Sequence, residues 1–343
     1  MGQKQITAVC VFGAQIILKH LRAMEGELEG VRQSKDIEYI HRMRVASRRM
    51  RTALELFKAC FPKKERKRLL DEIRTVTHTL GNARDTDVQI VFLNSIYPQY
   101  KTPELEAGIR RLLLRLHQKR EKAQKKVLKT IDRFIEKDHV ENINSQLAPF
   151  VAARESYYVF TPALYQHAFQ AIKTKLDDLL SYEPFIHDPG NDKALHAMRI
   201  SAKGLRYTLE VYDAIYEAHL VNFIQSMRLL QDSLGLIHDL DVWIAWIPEF
   251  IEDERKRIQD YFGNLRPLEP LLPGLEAFRN SCIARREQAY YEFLVLWQNI
   301  LSDNTWEELL KVINTPFDLN AAIQALESQP PTDEPPDTQN EIV

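Results

Sequence analysis

The chain reads as an all-α protein made of two pseudo-twofold-related four-helix bundles, and three observations carry that expectation. Only 11 glycines occur in 343 residues, segments alternating with period 2 are scarce, and long runs rich in Leu, Ala, Glu, Lys, Arg and Gln carry apolar residues at helical spacing. The phrase His41-Arg42-Met43-Arg44-Val45-Ala46-Ser47-Arg48-Arg49-Met50-Arg51 returns 155 residues later as His196-Ala197-Met198-Arg199-Ile200-Ser201-Ala202-Lys203-Gly204-Leu205-Arg206. A second stretch, Arg74 through Leu80-Gly81-Asn82-Ala83-Arg84-Asp85-Thr86-Asp87-Val88, returns at an offset of 154 as Arg228 through Leu234-Gly235-Leu236-Ile237-His238-Asp239-Leu240-Asp241-Val242. Two landmarks at nearly one offset point to an internal duplication of a whole unit.

The elements follow in order. Ala8 to Leu18 resembles the apolar part of a signal peptide, but it runs without a cleavage pattern into Lys19 and His20, so it opens the first helix. The repeated phrase makes the second helix of each unit. Thr102-Pro103 and Thr161-Pro162 each set an N-cap residue before a proline at the first helical position. Gly81 and Gly235 read as helix ends, and Asp85 and Asp239 then read chiefly as caps of the helices that follow. A weaker third match sets Arg120-Glu121-Lys122-Ala123 against Arg286-Glu287-Gln288-Ala289, the longer offset being absorbed by the proline-rich 267–273 region. Residues 1–314 thus form one domain of two repeats, about 1–140 and 160–314, joined by a less periodic segment around Glu141 to Tyr158. Residues 315–343 are an acidic, proline-rich tail whose end has the composition of a disordered segment.

Composition excludes several classes. With 45% hydrophobic residues the chain can bury a large core, and no apolar run approaches the ~20 residues that span a bilayer, so no membrane role is expected. Formal net charge is only −2, yet His41 to Arg84 holds 13 Lys/Arg against four Asp/Glu, while residues 315–343 hold six acidic residues and no Lys or Arg. Cys10, Cys60 and Cys282 stand far apart in apolar helical contexts and read as reduced structural thiols of a cytoplasmic protein.

In each repeated phrase the His and three basic residues fall at steps of three, four and three, which keeps them within an arc of roughly 80° on a helix. His41, Arg44, Arg48 and Arg51 form one stripe; His196, Arg199, Lys203 and Arg206 form the other. The opposite faces are apolar: Met43, Met50, Leu54 and Phe57, then Met198, Leu205, Leu209 and Tyr212. Arg42 and Arg49 lie on another flank and become Ala197 and Gly204, so they belong to the periphery. Nearby carboxylates, Glu55 and Glu210 four residues after Arg51 and Arg206 and the loop aspartates, are too few to neutralise the stripes. Two stripes facing each other across a groove therefore call for an anion. Along about 15 Å of helix rise the donors suit an extended polyanion, and the Met, Val, Ala, Ser, Ile and Leu between them provide no stacking platform for bases. Arg42, Arg49, Arg74, Arg228, Arg120 and Arg286 are further candidate contacts.

Catalytic and metal readings lack support. Glu38-x-x-His41 has di-iron spacing, but the equivalent of Glu38 is Lys193. His238-Asp239 followed by Asp241 has no further ligands, and copy one carries Arg84 in place of His238. His117, His139, His167, His187 and His219 read as surface or packing residues.

His-x-x-Arg-x-x-x-(Arg/Lys)-x-(Met/Leu)-Arg in duplicate, each copy followed by Leu-Gly and an Asp-x-Asp-Val, resembles the CHAD family, the conserved histidine α-helical domain, over essentially residues 1–314. The resemblance implies two pseudo-symmetric four-helix bundles that bind inorganic polyphosphate on a central basic surface, with the eight stripe residues as anion contacts. Members are often fused to a triphosphate-processing CYTH domain; only one helix-sized segment precedes His41 here, so a non-enzymatic role without cofactor, metal or catalytic residue is expected. The expected partner is polyphosphate and the expected location the cytoplasm, at polyphosphate granules. The competing readings are a nucleic-acid-binding helical protein and a helical scaffold or accessory protein for phosphorylated substrates.

Overall fold

The computed structural model describes residues 7–33, 36–136, 139–153 and 160–314. Among them the chain forms ten α-helices and no strand. The first half contributes α1 (Ala8–Gln33), α2 (Ile37–Leu56), α3 (Lys63–Ile96) and α4 (Glu106–Glu136), followed by α5 (His139–Ala152). The second half repeats the order as α6 (Pro162–Leu180), α7 (Asp192–Tyr212), α8 (Val221–Phe262) and α9 (Leu272–Ser302), and adds α10 (Thr305–Ile313). The acidic tail, residues 315–343, lies outside the described residues.

Both stripe helices start from a side-chain cap. Asp36 accepts from the Glu38 amide at 2.9 Å, and Asn191 accepts from the Ala194 amide at 3.2 Å. Thr161 caps α6 as expected. Thr102 does not cap α4, because residues 102–105 make a turn and the helix begins only at Glu106.

Two other expectations are corrected here. Gly81 and Gly235 end no helix; they sit inside α3 and α8, and α8 runs 42 residues to Gly263, whose φ of +67° closes it. Asp85 and Asp239 consequently cap nothing. Glycine at these two places signals close packing by a neighbouring side chain rather than chain reversal.

The apolar faces of α2 and α7 are buried as their spacing requires. Their ends meet in an aromatic knot that joins the halves. Phe12 of α1 stacks on Tyr212, while His167 of α6 stacks on Phe57, with centroids 6.1 and 5.4 Å apart. Phe57 and Tyr212 themselves meet at 6.2 Å, and the Tyr212 hydroxyl bonds His167 Nδ1 at 2.8 Å. Phe12 with His167 and Phe57 with Tyr212 are each 155 apart, so every ring contact has its reciprocal, as across a twofold interface, and only the Tyr212–His167 hydrogen bond has none. Gly108 of α4 packs on the Leu271 carbonyl and Gly274 of α9 on the Leu105 carbonyl, again reciprocally; a Cβ at either would approach closer than real Cβ atoms do. The carboxylate of the fully buried Glu254 of α8 adds an unreciprocated tie, accepting from Arg111 and Arg115 of α4 at 3.0 and 2.6 Å.

Cys10 and Cys60 form a disulfide, which overturns the reading of three reduced thiols. Residues 50 apart in sequence come within 5.3 Å at Cα because α1 packs against the turn after α2. Cys282 is a buried free thiol.

Two predictions follow from these ties. Reduction of the Cys10–Cys60 bridge opens a loop whose closure is worth about 4 kcal/mol in the chain-entropy model, so dithiothreitol should lower the thermal midpoint of the parent and leave that of Cys10→Ser/Cys60→Ser unchanged. Gly274→Ala forces helix α9 off the Leu105 carbonyl and should cost about 1–3 kcal/mol by overpacking, read as a lowered denaturant midpoint at unchanged m-value.

Candidate functional site

With their apolar faces fixed, α2 and α7 turn their basic stripes toward each other between α3 and α8. Small buried residues make this possible: Ser47 bonds the Thr77 hydroxyl of α3 at 3.0 Å, and the Ala202 carbonyl accepts from Gln231 of α8 at 3.3 Å. All eight stripe residues are half-buried.

Five of the eight converge. Arg44 and Arg48 from α2 and Arg199, Lys203 and Arg206 from α7 feel one another's charges. Burial, then Arg48, Arg199, Arg44 and Arg206, pull the Lys203 amine down to about 6. Burial chiefly, with the neighbouring arginines, pulls Arg48 down to about 10 against the opposing effect of Tyr207. The guanidinium carbons of Arg48 and Arg206 lie 5.4 and 5.2 Å from the ring centroid of Tyr207, which is 6% exposed. A cation–π contact gives about 2 kcal/mol at best, whereas each pair of unit charges ~7 Å apart repels by about 2 kcal/mol at an effective dielectric of ~20. Among the four arginines the repulsions already outnumber the ring contacts, so the ligand-free cluster is charge-frustrated even with Lys203 neutral.

Protein carboxylates relieve it only in part. Arg44 reaches Asp85 at 3.5 Å, a carboxylate 68% exposed. Glu210 receives Arg49 at 2.9 Å, across the halves, and lies 3.6 Å from Arg206. Asp239 is pushed up by burial and by the nearby Asp85, against the pull of Arg199 and Lys203. No ion pair or hydrogen bond engages Lys203 among the described residues, and the Nε atoms of Arg44, Arg199 and Arg228 are buried without a hydrogen-bond partner.

Those buried Nε atoms explain the glycines. Arg44 Nε lies 3.4 Å from where a Cβ of Gly81 would stand, and Arg199 Nε 3.7 Å from that of Gly235. Each central arginine thus lies flat against a helix backbone. The Asp-x-Asp motif completes the arrangement by pointing two ways. Asp85 faces Arg44, whereas Asp87 takes Arg120 of α4 at 2.6 Å. Likewise Asp241 takes Arg286 of α9 at 2.9 Å, and Asp192 takes its other nitrogen at 2.8 Å.

The remaining candidates are distributed around this centre. Arg51 lies at the outer end of its stripe, lowered by burial and by Arg74, and Arg74 pairs with Asp71 at 3.1 Å. Glu55, four residues after Arg51, receives Arg66 instead. Arg42 is held by both oxygens of Glu27. Arg120 and Arg286 are locked to aspartates, and Arg228 is half-buried on α8. His41 is half-buried at the head of its stripe. His196 Nδ1 lies 3.2 Å from His238 Nδ1; burial and the adjacent cations lower both rings, His238 to about 4. Two residues escaped sequence reasoning: Tyr207, between the Arg48 and Arg206 guanidiniums, and Lys175 of α6, which packs against Gly204 with its carbon chain 3.7 Å from a Cβ there, so an amine occupies the flank where copy one has Arg49. Glu38 pairs with Arg84 at 3.1 Å, and no cluster of three or more His, Cys, Asp or Glu among the described residues is placed to hold a metal ion.

A family model described as CHAD domain matches residues 15–248. Two relatives from Mycobacterium tuberculosis, Uncharacterized protein MT2285 and Uncharacterized protein Rv2226, are each 30% identical over 207 residues; the match covers 57% of this chain and 37% of theirs. The solved structure described as the CHAD domain from the plant Ricinus communis superposes with a TM-score of 0.59 at 20% identity, covering 96% of this chain and 95% of that one. PptA from Streptomyces chartreusis gives 0.56 at 16% identity, covering 86% and 100%. Both share the helical fold. No helix among the described residues is long and apolar enough to cross a membrane.

Charge frustration has a measurable sign. The folded protein disfavours protonated Lys203 and the unfolded chain does not, so this residue lowers stability most below a pH of about 6 and progressively less toward the ordinary lysine range. Lys203→Met should raise the thermal midpoint of the ligand-free protein, and by more at neutral pH than in mild alkali.

Proposed function

Because this chain belongs to the CHAD family, we propose that it binds inorganic polyphosphate, without catalysing a reaction on it, in the basic groove between α2 and α7. The observation that carries this reading is the convergence of Arg44, Arg48, Arg199, Lys203 and Arg206 with too few carboxylates, Asp85, Glu210 and Asp239, to match them. A linear polyanion removes the repulsion that the fold leaves standing, and its evenly spaced charges match cations spaced along two helices. His41 and Arg51 would extend contact along α2, and His196 along α7. Arg42, Arg120 and Arg286 are engaged by carboxylates and serve the scaffold first. Arg49, Arg74 and Arg228 border the groove.

Nucleic acid fits less well. The ring in the cluster, Tyr207, is 6% exposed and approached by two guanidiniums, so it offers no face to a base. A scaffold role for phosphorylated partners uses the same cations but would not need them half-buried in one cluster. A cytoplasmic location at polyphosphate granules suits the ligand, with the Cys10–Cys60 bridge shielded from thiols by burial.

Calorimetry with long polyphosphate and with RNA of matched charge tests the reading. The parent should prefer polyphosphate and lose affinity steeply with salt. Each central arginine makes charge-assisted bonds worth about 1.5–3 kcal/mol, so Arg44→Ala/Arg199→Ala should weaken binding by about a hundredfold or more; parent-like binding by that double variant sinks the proposal. Binding should tighten as pH falls from roughly 8 to 6, where Lys203 and then the lowered histidines gain protons beside the anion. Lys203→Arg, charged throughout, should flatten that dependence.

A further inference from the structure

We propose that Lys203 is a modification site, whose amine accepts an acyl group from small acyl phosphates held by their phosphoryl end among Arg44, Arg48, Arg199 and Arg206. The inference rests on the cluster being an anion site and adds a covalent chemistry to it. Comparison of the two stripes supplies the first argument. Of the four stripe positions, only one changes type between the copies: Arg48 becomes Lys203. A guanidinium stays charged in any protein environment, whereas an amine is the one cation of such a cluster that can shed its proton and become a nucleophile.

The surroundings supply the second argument. Arg48 of one half and Arg206 of the other meet at the Tyr207 ring, one helical turn beyond Lys203, and Arg44 and Arg199 lie flat against Gly81 and Gly235. No hydrogen bond or ion pair engages the Lys203 amine among the described residues. Besides those arginines, the charged and titratable groups facing it are His196 of its own helix and His238 and Asp239 of α8. Burial first, and then the four arginines, lower the amine to about 6, so it is largely neutral at pH 7. Lys63, Lys64 and Lys67, by contrast, are exposed at the start of α3.

The reaction is balanced without any other reagent. The lysine nitrogen attacks the carbonyl carbon of the acyl phosphate and the C–N bond forms. The bond from that carbon to the phosphate oxygen breaks, inorganic phosphate leaves, and the amine proton goes to it. The arginines that bind the phosphoryl group also stabilise the charge that develops on the departing phosphate. The product is an amide, neutral at every pH, in the middle of the groove. Acylation thereby removes an amine that could take up a proton beside a bound phosphate, and leaves a bulkier group where that phosphate would sit.

The intact chain is incubated with acetyl phosphate at several pH values, and acetylation of each lysine is followed by peptide mass spectrometry. Lys203 should react at pH 7 more than about tenfold faster than Lys63, Lys64 and Lys67, in keeping with its larger neutral fraction. Its rate should level off above neutrality while theirs keep rising, and inorganic pyrophosphate should slow Lys203 alone. Arg48→Gln, with its helical circular dichroism retained, should weaken acetyl phosphate saturation and narrow the rate difference. Equal rates at Lys203 and the exposed lysines, or no protection by pyrophosphate, overturn the proposal. Polyphosphate affinity of unmodified chain is measured separately, so selective acetylation without polyphosphate binding would defeat the binding reading and spare this one.

Discussion

The apposition of like charges between α2 and α7 is the constraint around which the rest of this molecule is arranged. Four arginines and Lys203 share a half-buried space that few protein carboxylates reach. Such a cluster is unfavourable without an anion, and it persists because the apolar faces of the same helices are committed elsewhere. Met43, Met50, Leu54 and Phe57, with Met198, Leu205, Leu209 and Tyr212, are fully buried. Rotating either helix to separate the stripes would expose these side chains, each worth about 1.5–3 kcal/mol of burial, and would break the reciprocal Phe12, Phe57, His167 and Tyr212 knot. Hydrophobic packing therefore holds the electrostatic frustration in place, and a polyanion is what would relieve it.

The two halves use one plan with unequal parts. In both, the first aspartate of Asp-x-Asp sits by the central arginine and the second ties down an arginine of the fourth helix. In both, a glycine lets the central arginine lie against a helix. The differences concentrate at the groove. Copy one has permanently charged Arg48 where copy two has Lys203, and Arg49 where copy two has Gly204 with Lys175 packed on it. Arg84 reaches back to Glu38, whereas its counterpart His238 joins His196. The second half is thus the one whose charge responds to pH.

Much of this could be seen in the residues before the fold was known. Period 3.6 marked the helices, and the repeat marked which cations to compare. The faces of α2 and α7 followed from spacing because a side chain's side of a helix depends only on local geometry. The glycines were misread for the same reason: a local rule assigns Gly81 and Gly235 to helix ends, while their true role depends on arginines some 36 residues away in sequence. Asp85 and Asp239 inherited that error as supposed caps. The Cys10–Cys60 bridge was invisible because nothing local says that α1 returns to the end of α2. Lys175 and Tyr207 had no motif at all.

Local periodicity and internal repetition thus specified an all-α chain with two matching basic stripes and two buried faces, since both are properties of single helices. Which cations meet, how deeply they are buried, and which carboxylates fail to reach them arise from the crossing of α2 and α7 between α3 and α8. Those quantities depend on distances between residues about 155 apart in the chain, and charge–charge energies follow such distances and the local dielectric, which no one-dimensional pattern encodes.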